Sequence, residues 1–129
     1  MKLRVLLLIC DSKPDSGGNI HPPGSATLPK DPVPVTLEFR RDLMSMVGRA
    51  TLAQTPDGGM VYADLELLDT RISPEMMKIL YPAAGGRSLE VVDEKVFKKI
   101  ELTDVGLSIT KNSDERILTL AGQLELTRS

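Results

Sequence analysis

Tryptophan is absent from this 129-residue chain, cysteine and histidine occur once each, and there are only two tyrosines and two phenylalanines. Each shortage removes a class of function. The lone cysteine, Cys10, excludes an internal disulfide and leaves no thiolate cluster for zinc, which fits a reducing compartment. With so few aromatic rings and no basic run, the chain lacks both the stacking platforms and the phosphate-seeking charge of a nucleic-acid binder, and its net charge of −2 argues the same way. No stretch approaches the roughly 20 apolar residues of a membrane span. No cofactor or metal site is expected, and a single histidine, His21, leaves little choice of general base.

What is present suits a globular domain, with 41% hydrophobic and 26% charged residues. A length of 129 residues fits one domain, 1–129, able to bury about two thirds of its unfolded surface. Lys2 and Arg4 precede an apolar run from Val5 to Cys10 that is too short for a signal peptide. Ile9 is too large for the residue before a lipoprotein cysteine, so a buried first strand is expected.

Residues 11–34 form a long Pro/Gly-rich loop, in which Pro14, Gly17, Gly18, Pro22, Pro23, Gly24, Pro29, Pro32 and Pro34 oppose regular structure. Such a segment either wraps over a sheet or reaches toward a partner. Beyond it, Val35, Leu37 and Phe39 alternate with Thr36, Glu38 and Arg40, which predicts a strand with one apolar face. Val47–Gln54 and Met60–Leu68 read as a hairpin across Thr55-Pro56-Asp57-Gly58-Gly59, with Val61, Ala63, Leu65 and Leu67 inward and Asp64 and Glu66 outward.

One short helix is predicted over 74–81: Ser73 caps it, Pro74 suits its first position, Glu75 complements its dipole and Pro82 stops it. Met76, Met77 and Leu80 make its apolar stripe. Period two then returns in Ile100 and Leu102, in Val105, Leu107 and Ile109, and in Leu118, Leu120, Leu124 and Leu126 with Gly122 in the row. Lys111-Asn112-Ser113-Asp114 supplies the reversal. The expected fold is mainly β, a barrel or rolled sheet with one short helix.

Ser88, in Gly85-Gly86-Arg87-Ser88, is the one serine that resembles a nucleophile. A serine hydroxyl is weak at neutral pH unless a base takes its proton. His21 lies in the Pro/Gly-rich loop, where a histidine is ordinarily solvated, and Lys98 and Lys99 sit in a charged run that reads as a solvated face. On these grounds Gly85-Gly86 reads as a helix-to-strand turn and Ser88 as an ordinary strand residue.

The order of the pieces resembles the prohead proteases, the capsid-maturation serine proteases of tailed bacteriophages. Asp15-Ser16-Gly17-Gly18-Asn19-Ile20-His21-Pro22-Pro23-Gly24 is similar to the family's early Asp/Gly-rich stretch, and Pro32-Val33-Pro34-Val35-Thr36-Leu37 to the strand leading to its catalytic histidine. Val47-Gly48-Arg49-Ala50, the Asp57-Gly58-Gly59 turn and Leu65-Glu66-Leu67 follow in family order. Gly85-Gly86-Arg87-Ser88 is similar to the nucleophile strand, and Leu102-Thr103-Asp104-Val105-Gly106-Leu107-Ser108 to the late acidic strand.

The resemblance implies a prohead-protease-like fold and a phage-head setting. Where the family carries its histidine, this chain has Arg41-Asp42. Arginine has no acceptor and a pKa above about 12, so it cannot take the serine proton. No catalytic residues are therefore expected; an active enzyme would use Ser88 and Asp104 with an unknown base. Without a histidine to orient, Asp104 is expected at a turn or sheet edge. The resemblance implies a non-catalytic capsid cement or decoration subunit that binds major capsid protein or itself. Such a subunit would be oligomeric on the virion and in the host cytoplasm during assembly, with no nucleic-acid or membrane partner.

Overall fold

A computed structural model describes residues 1–38, 45–68 and 72–127. The first apolar run forms strand β1 (Lys2–Ile9), with Leu3, Val5 and Leu7 buried. Within the Pro/Gly-rich segment lie a two-residue strand, β2 (Ala26–Thr27), and the start of β3 (Val33–Leu37), which takes up the last two residues expected as loop. The expected hairpin is present as β4 (Met46–Gln54) and β5 (Met60–Leu67), paired from Gly48 with Leu67 to Gln54 with Val61. Its row Val61, Ala63, Leu65 and Leu67 is buried and Asp64 is exposed, as the alternation requires. In the turn, Thr55 Oγ1 accepts from the Gly59 and Met60 amides, so the reversal holds its own backbone donors.

Helix α1 (Pro74–Met77) is one turn long, shorter than the 74–81 span expected. Ser73 does cap it, accepting from the Met76 amide, and Met77 and Leu80 are buried while Ile79 is exposed. The helix ends early because residue 81 already belongs to a long hairpin, β6 (Tyr81–Val92) with β7 (Val96–Ser108). Leu102, Val105 and Leu107 of β7 are buried, but Ile109 lies beyond the strand and is exposed.

The largest departure is at the C-terminal end. The expected strand through Leu118, Leu120, Leu124 and Leu126 is instead a helix, α2 (Leu120–Thr127), so the chain has two helices among its described residues. Thr119 starts it, its hydroxyl accepting from the Gly122 amide. Leu120, Gln123 and Leu124 fall on one helical face, and Leu120 and Gln123 are buried.

The seven strands form one mixed sheet in the order β1-β5-β4-β3-β7, with β2 and β3 both parallel to β7 and β6 antiparallel along it. The sheet is not closed, so the barrel alternative is set aside: β1 and β6, its two ends, do not pair. It is rolled, because both ends line one groove. Gln123 occupies part of this seam, its amide accepting from Leu6 N and donating to Leu6 O, as a neighbouring strand would. Asn112 Nδ2 likewise donates to Pro82 O of β6 at 2.8 Å. Such amide caps satisfy edge groups that a missing strand leaves open.

β3 departs from simple alternation. Val35 and Thr36 are both buried, because a bulge opposite Gly48 and Met46 shifts the register and β4 and β7 flank the strand. Phe39 and Arg40, expected to continue it, lie outside the described residues. The 11–34 segment wraps along the sheet. Ile20 bridges Val96, Ala26 and Thr27 pair with Ile100 and Glu101, and the Gly24 amide donates to Gly58 O at 3.0 Å.

Candidate functional site

The groove at the seam, of about 210 Å³, is floored by Leu8, Ala84 and Ile100. His21 and Ser88 both line it, so the fold brings together two residues that lie far apart in the sequence. His21 is half-buried, contrary to the solvated side chain expected of a loop histidine. Its ring stacks on Phe97 with centroids 5.1 Å apart and planes 18° from parallel. Burial holds the imidazole below its ordinary pKa, against the opposing pull of the Asp15 and Asp114 carboxylates.

A serine nucleophile needs its base within hydrogen-bond reach and that base oriented by a third group. Neither condition is met in this groove. No hydrogen bond joins Ser88 to His21 among the described residues, and His21 Nδ1 is buried with no partner. Along β7, Phe97 under the histidine stands three residues from Ile100, the partner of Ser88, a spacing of about 10 Å. Ser88 itself is exposed on β6.

Asp104 is not at a turn or edge. It lies inside β7, 4% exposed, opposite Gly85, and accepts from Thr103 Oγ1 at 2.8 Å. Sequence reasoning missed this because β7 continues through Thr103-Asp104 as strand, with Thr103 the extra residue of a bulge opposite the Gly85–Gly86 step. Asp104 stands four positions along β7 from Ile100, about 13 Å, and lines a different cavity with Pro34, Thr36 and Met46. Ser88 and Asp104 therefore form no dyad. Lys98 and Lys99 are exposed and do not line the serine groove. Arg41 and Asp42, in place of the family's histidine, lie outside the described residues.

The Gly85-Gly86 pair is not a helix-to-strand turn but mid-strand β6, where its lack of side chains admits β7 closely. Cys10 is fully buried, and burial pushes its thiol pKa up, as suits an unreactive core cysteine. No group of three or more His, Cys, Asp or Glu residues is placed to hold a metal among the described residues, and no described helix is long and apolar enough to cross a membrane.

Sequence reasoning also missed Arg116, which joins the start of the long segment to the approach to α2. Its guanidinium meets Asp11 at 2.6 Å and Asp114 at 2.9 Å, and hydrogen bonding to it holds both carboxyls below their usual range. A lowered carboxylate pKa stabilises the fold above the ordinary value of about 3.9, and that stability is lost as pH falls below it. Because the arginine is partly exposed, removing it should cost about 1 kcal/mol or less. In urea denaturation, Arg116→Met should be less stable than wild type at pH 7, and the difference should shrink as both proteins are taken below pH ~3.9.

No protein-family model, curated protein or solved structure matches the chain.

Proposed function

We propose that the chain is a non-catalytic structural protein of a tailed-phage head, a cement or decoration subunit that binds major capsid protein. The phage setting rests on the ordered resemblance to prohead proteases, and fold can persist after chemistry is lost because chemistry resides in few residues. One observation carries the non-catalytic half: among the described residues Ser88 has no hydrogen-bonded base, and His21 Nδ1 has no orienting partner. The outer edge of β6, which pairs with no further described strand and where Leu89 and Val91 are exposed, supports a role in contact rather than reaction. On this reading the protein works on the virion, as one of many copies, after passing through the host cytoplasm during assembly.

Capsid binding and proteolysis separate in one experiment. Purified protein should co-sediment with assembled capsids at stoichiometric copy number, and Ser88→Ala should bind equally well. A serine-directed fluorophosphonate should label neither protein. The second reading, an active maturation protease with Ser88 as nucleophile, is favoured by one observation: His21 lines the same groove. It predicts cleavage of capsid or scaffold protein on co-expression, falling on the order of 10⁶-fold in Ser88→Ala. Such cleavage would overturn the non-catalytic reading, and absence from mature virions would overturn the cement role.

A further inference from the structure

We propose that the His21–Phe97 stack is an acid-sensitive latch, which holds the 11–25 segment against β7 when the imidazole is neutral and releases it from the groove when the imidazole is protonated. The inference is independent of the capsid reading, because it concerns how the groove is closed.

The latch begins with the backbone. Ile20 O accepts from the Phe97 amide at 2.8 Å, Lys95 O accepts from the Ile20 amide at 2.8 Å, and His21 O accepts from the Ser12 amide at 3.1 Å. These bonds place the imidazole flat on Phe97, with Nδ1 buried and unpartnered. Neutral imidazole tolerates this position by presenting a lone pair at Nδ1. Imidazolium does not, because both of its nitrogens are donors and the one at Nδ1 would be buried without an acceptor.

The charged groups around the ring do not supply that acceptor. From the ring's own segment comes Asp15, whose Oδ1 is already committed to the Gly17 and Asn19 amides at 2.9 Å each. From the approach to α2 comes Asp114, held by Arg116. The β6–β7 turn contributes Lys95, its Nζ on Gly17 O at 3.1 Å, and β6 contributes Arg87, paired with Glu101; both add positive charge. β1 presents only Leu7 and Leu8 to the groove. Desolvation outweighs the pull of the two carboxylates, which agrees with the lowered imidazole pKa.

The sign follows from linkage. A histidine held below its ordinary value contributes docking stability that is full above pH ~6.5 and is lost as pH falls from there through its folded pKa. Acid should therefore free the segment before it unfolds the sheet.

His21 is the sole histidine, so its Cε1–H resonance titrates without ambiguity. A midpoint below about 6.5 is expected; a midpoint at or above that value overturns the proposal without any variant. Hydrogen exchange supplies the structural readout, with protection at each pH corrected for intrinsic exchange. Between pH 7.5 and pH 5, the Ser12, Ile20 and Phe97 amides should show a several-fold loss of protection, while β4–β5 amides keep theirs. His21→Phe retains a stacking ring without a titrating nitrogen and should abolish that pH dependence. Unchanged protection in wild type, or an equal fall in His21→Phe, would overturn the latch.

Discussion

Gly86→Ala should destabilise the protein by about 3 kcal/mol, the upper range for forcing atoms into packed structure. A Cβ at this position would stand 2.1 Å from Glu101 O and 3.1 Å from Leu102 Cα, both on the facing strand β7. Backbone cannot yield as a flexible side-chain tip does, so β6 and β7 must separate locally. The damage would spread, since β7 also carries β2 and β3 on its other edge. Chemical denaturation followed by circular dichroism measures the effect, with Gly17→Ala as a milder control because its nearest contacts are side-chain atoms at 3.3 and 3.4 Å. An unchanged midpoint in Gly86→Ala would show that the two strands are not packed as described.

That glycine pair also shows why the site was only partly legible in the sequence. Gly-Gly before a strand is a turn signal when only neighbouring residues are considered. Its actual cause is non-local: residues 101–104 of β7 press against it, and Gly85 faces the buried Asp104. Ser88 lies in a strand, as its local sequence predicts, but its neighbourhood depends on a roll of the sheet that brings β1 beside β6 and folds the Pro/Gly-rich segment over β7. No spacing rule joins His21 to Phe97, because the contact passes through the Ile20–Val96 bridge. The available signal was local: Ile20 beside His21 gave the loop an apolar residue with reason to dock.

The fold was more legible where period and turn chemistry agree. In β4–β5 a Pro-Asp-Gly-Gly turn separates two runs that both alternate, and the strands and inward row these signals predict are those of the structure. Near the C-terminal end the signals conflict. Leucines at 118, 120, 124 and 126 satisfy period two, yet 120 and 124 also stand one helical turn apart. Gln123, which completes the helical face, is polar and so carries no core signal in the sequence. It is nevertheless buried, because its amide serves the open edge of β1. Ala121, Glu125 and the absence of β-branched residues from 120 to 126 were the propensity signal for helix.

These alternatives make opposite demands on the leucines, and Leu120→Ala decides between them. In a strand, Leu120 and Leu126 would share one face and contribute comparably. In α2, Leu120 is 0% exposed and its amide donates to Leu80 O at 2.9 Å, whereas Leu126 is 65% exposed. Removing a fully buried leucine side chain costs about 2–5 kcal/mol, the spread depending on how far the surroundings collapse. Leu120→Ala should fall in that range, while Leu126→Ser should change stability by no more than about 0.5 kcal/mol. Alanine is the better helix former, so loss at position 120 cannot arise from propensity and must come from packing. Urea midpoints of the two variants measure the contrast. Equal losses would favour the period-two row, whereas a large loss at Leu120 alone ties the edge of β1 to α2 through the Leu120–Gln123–Leu124 face.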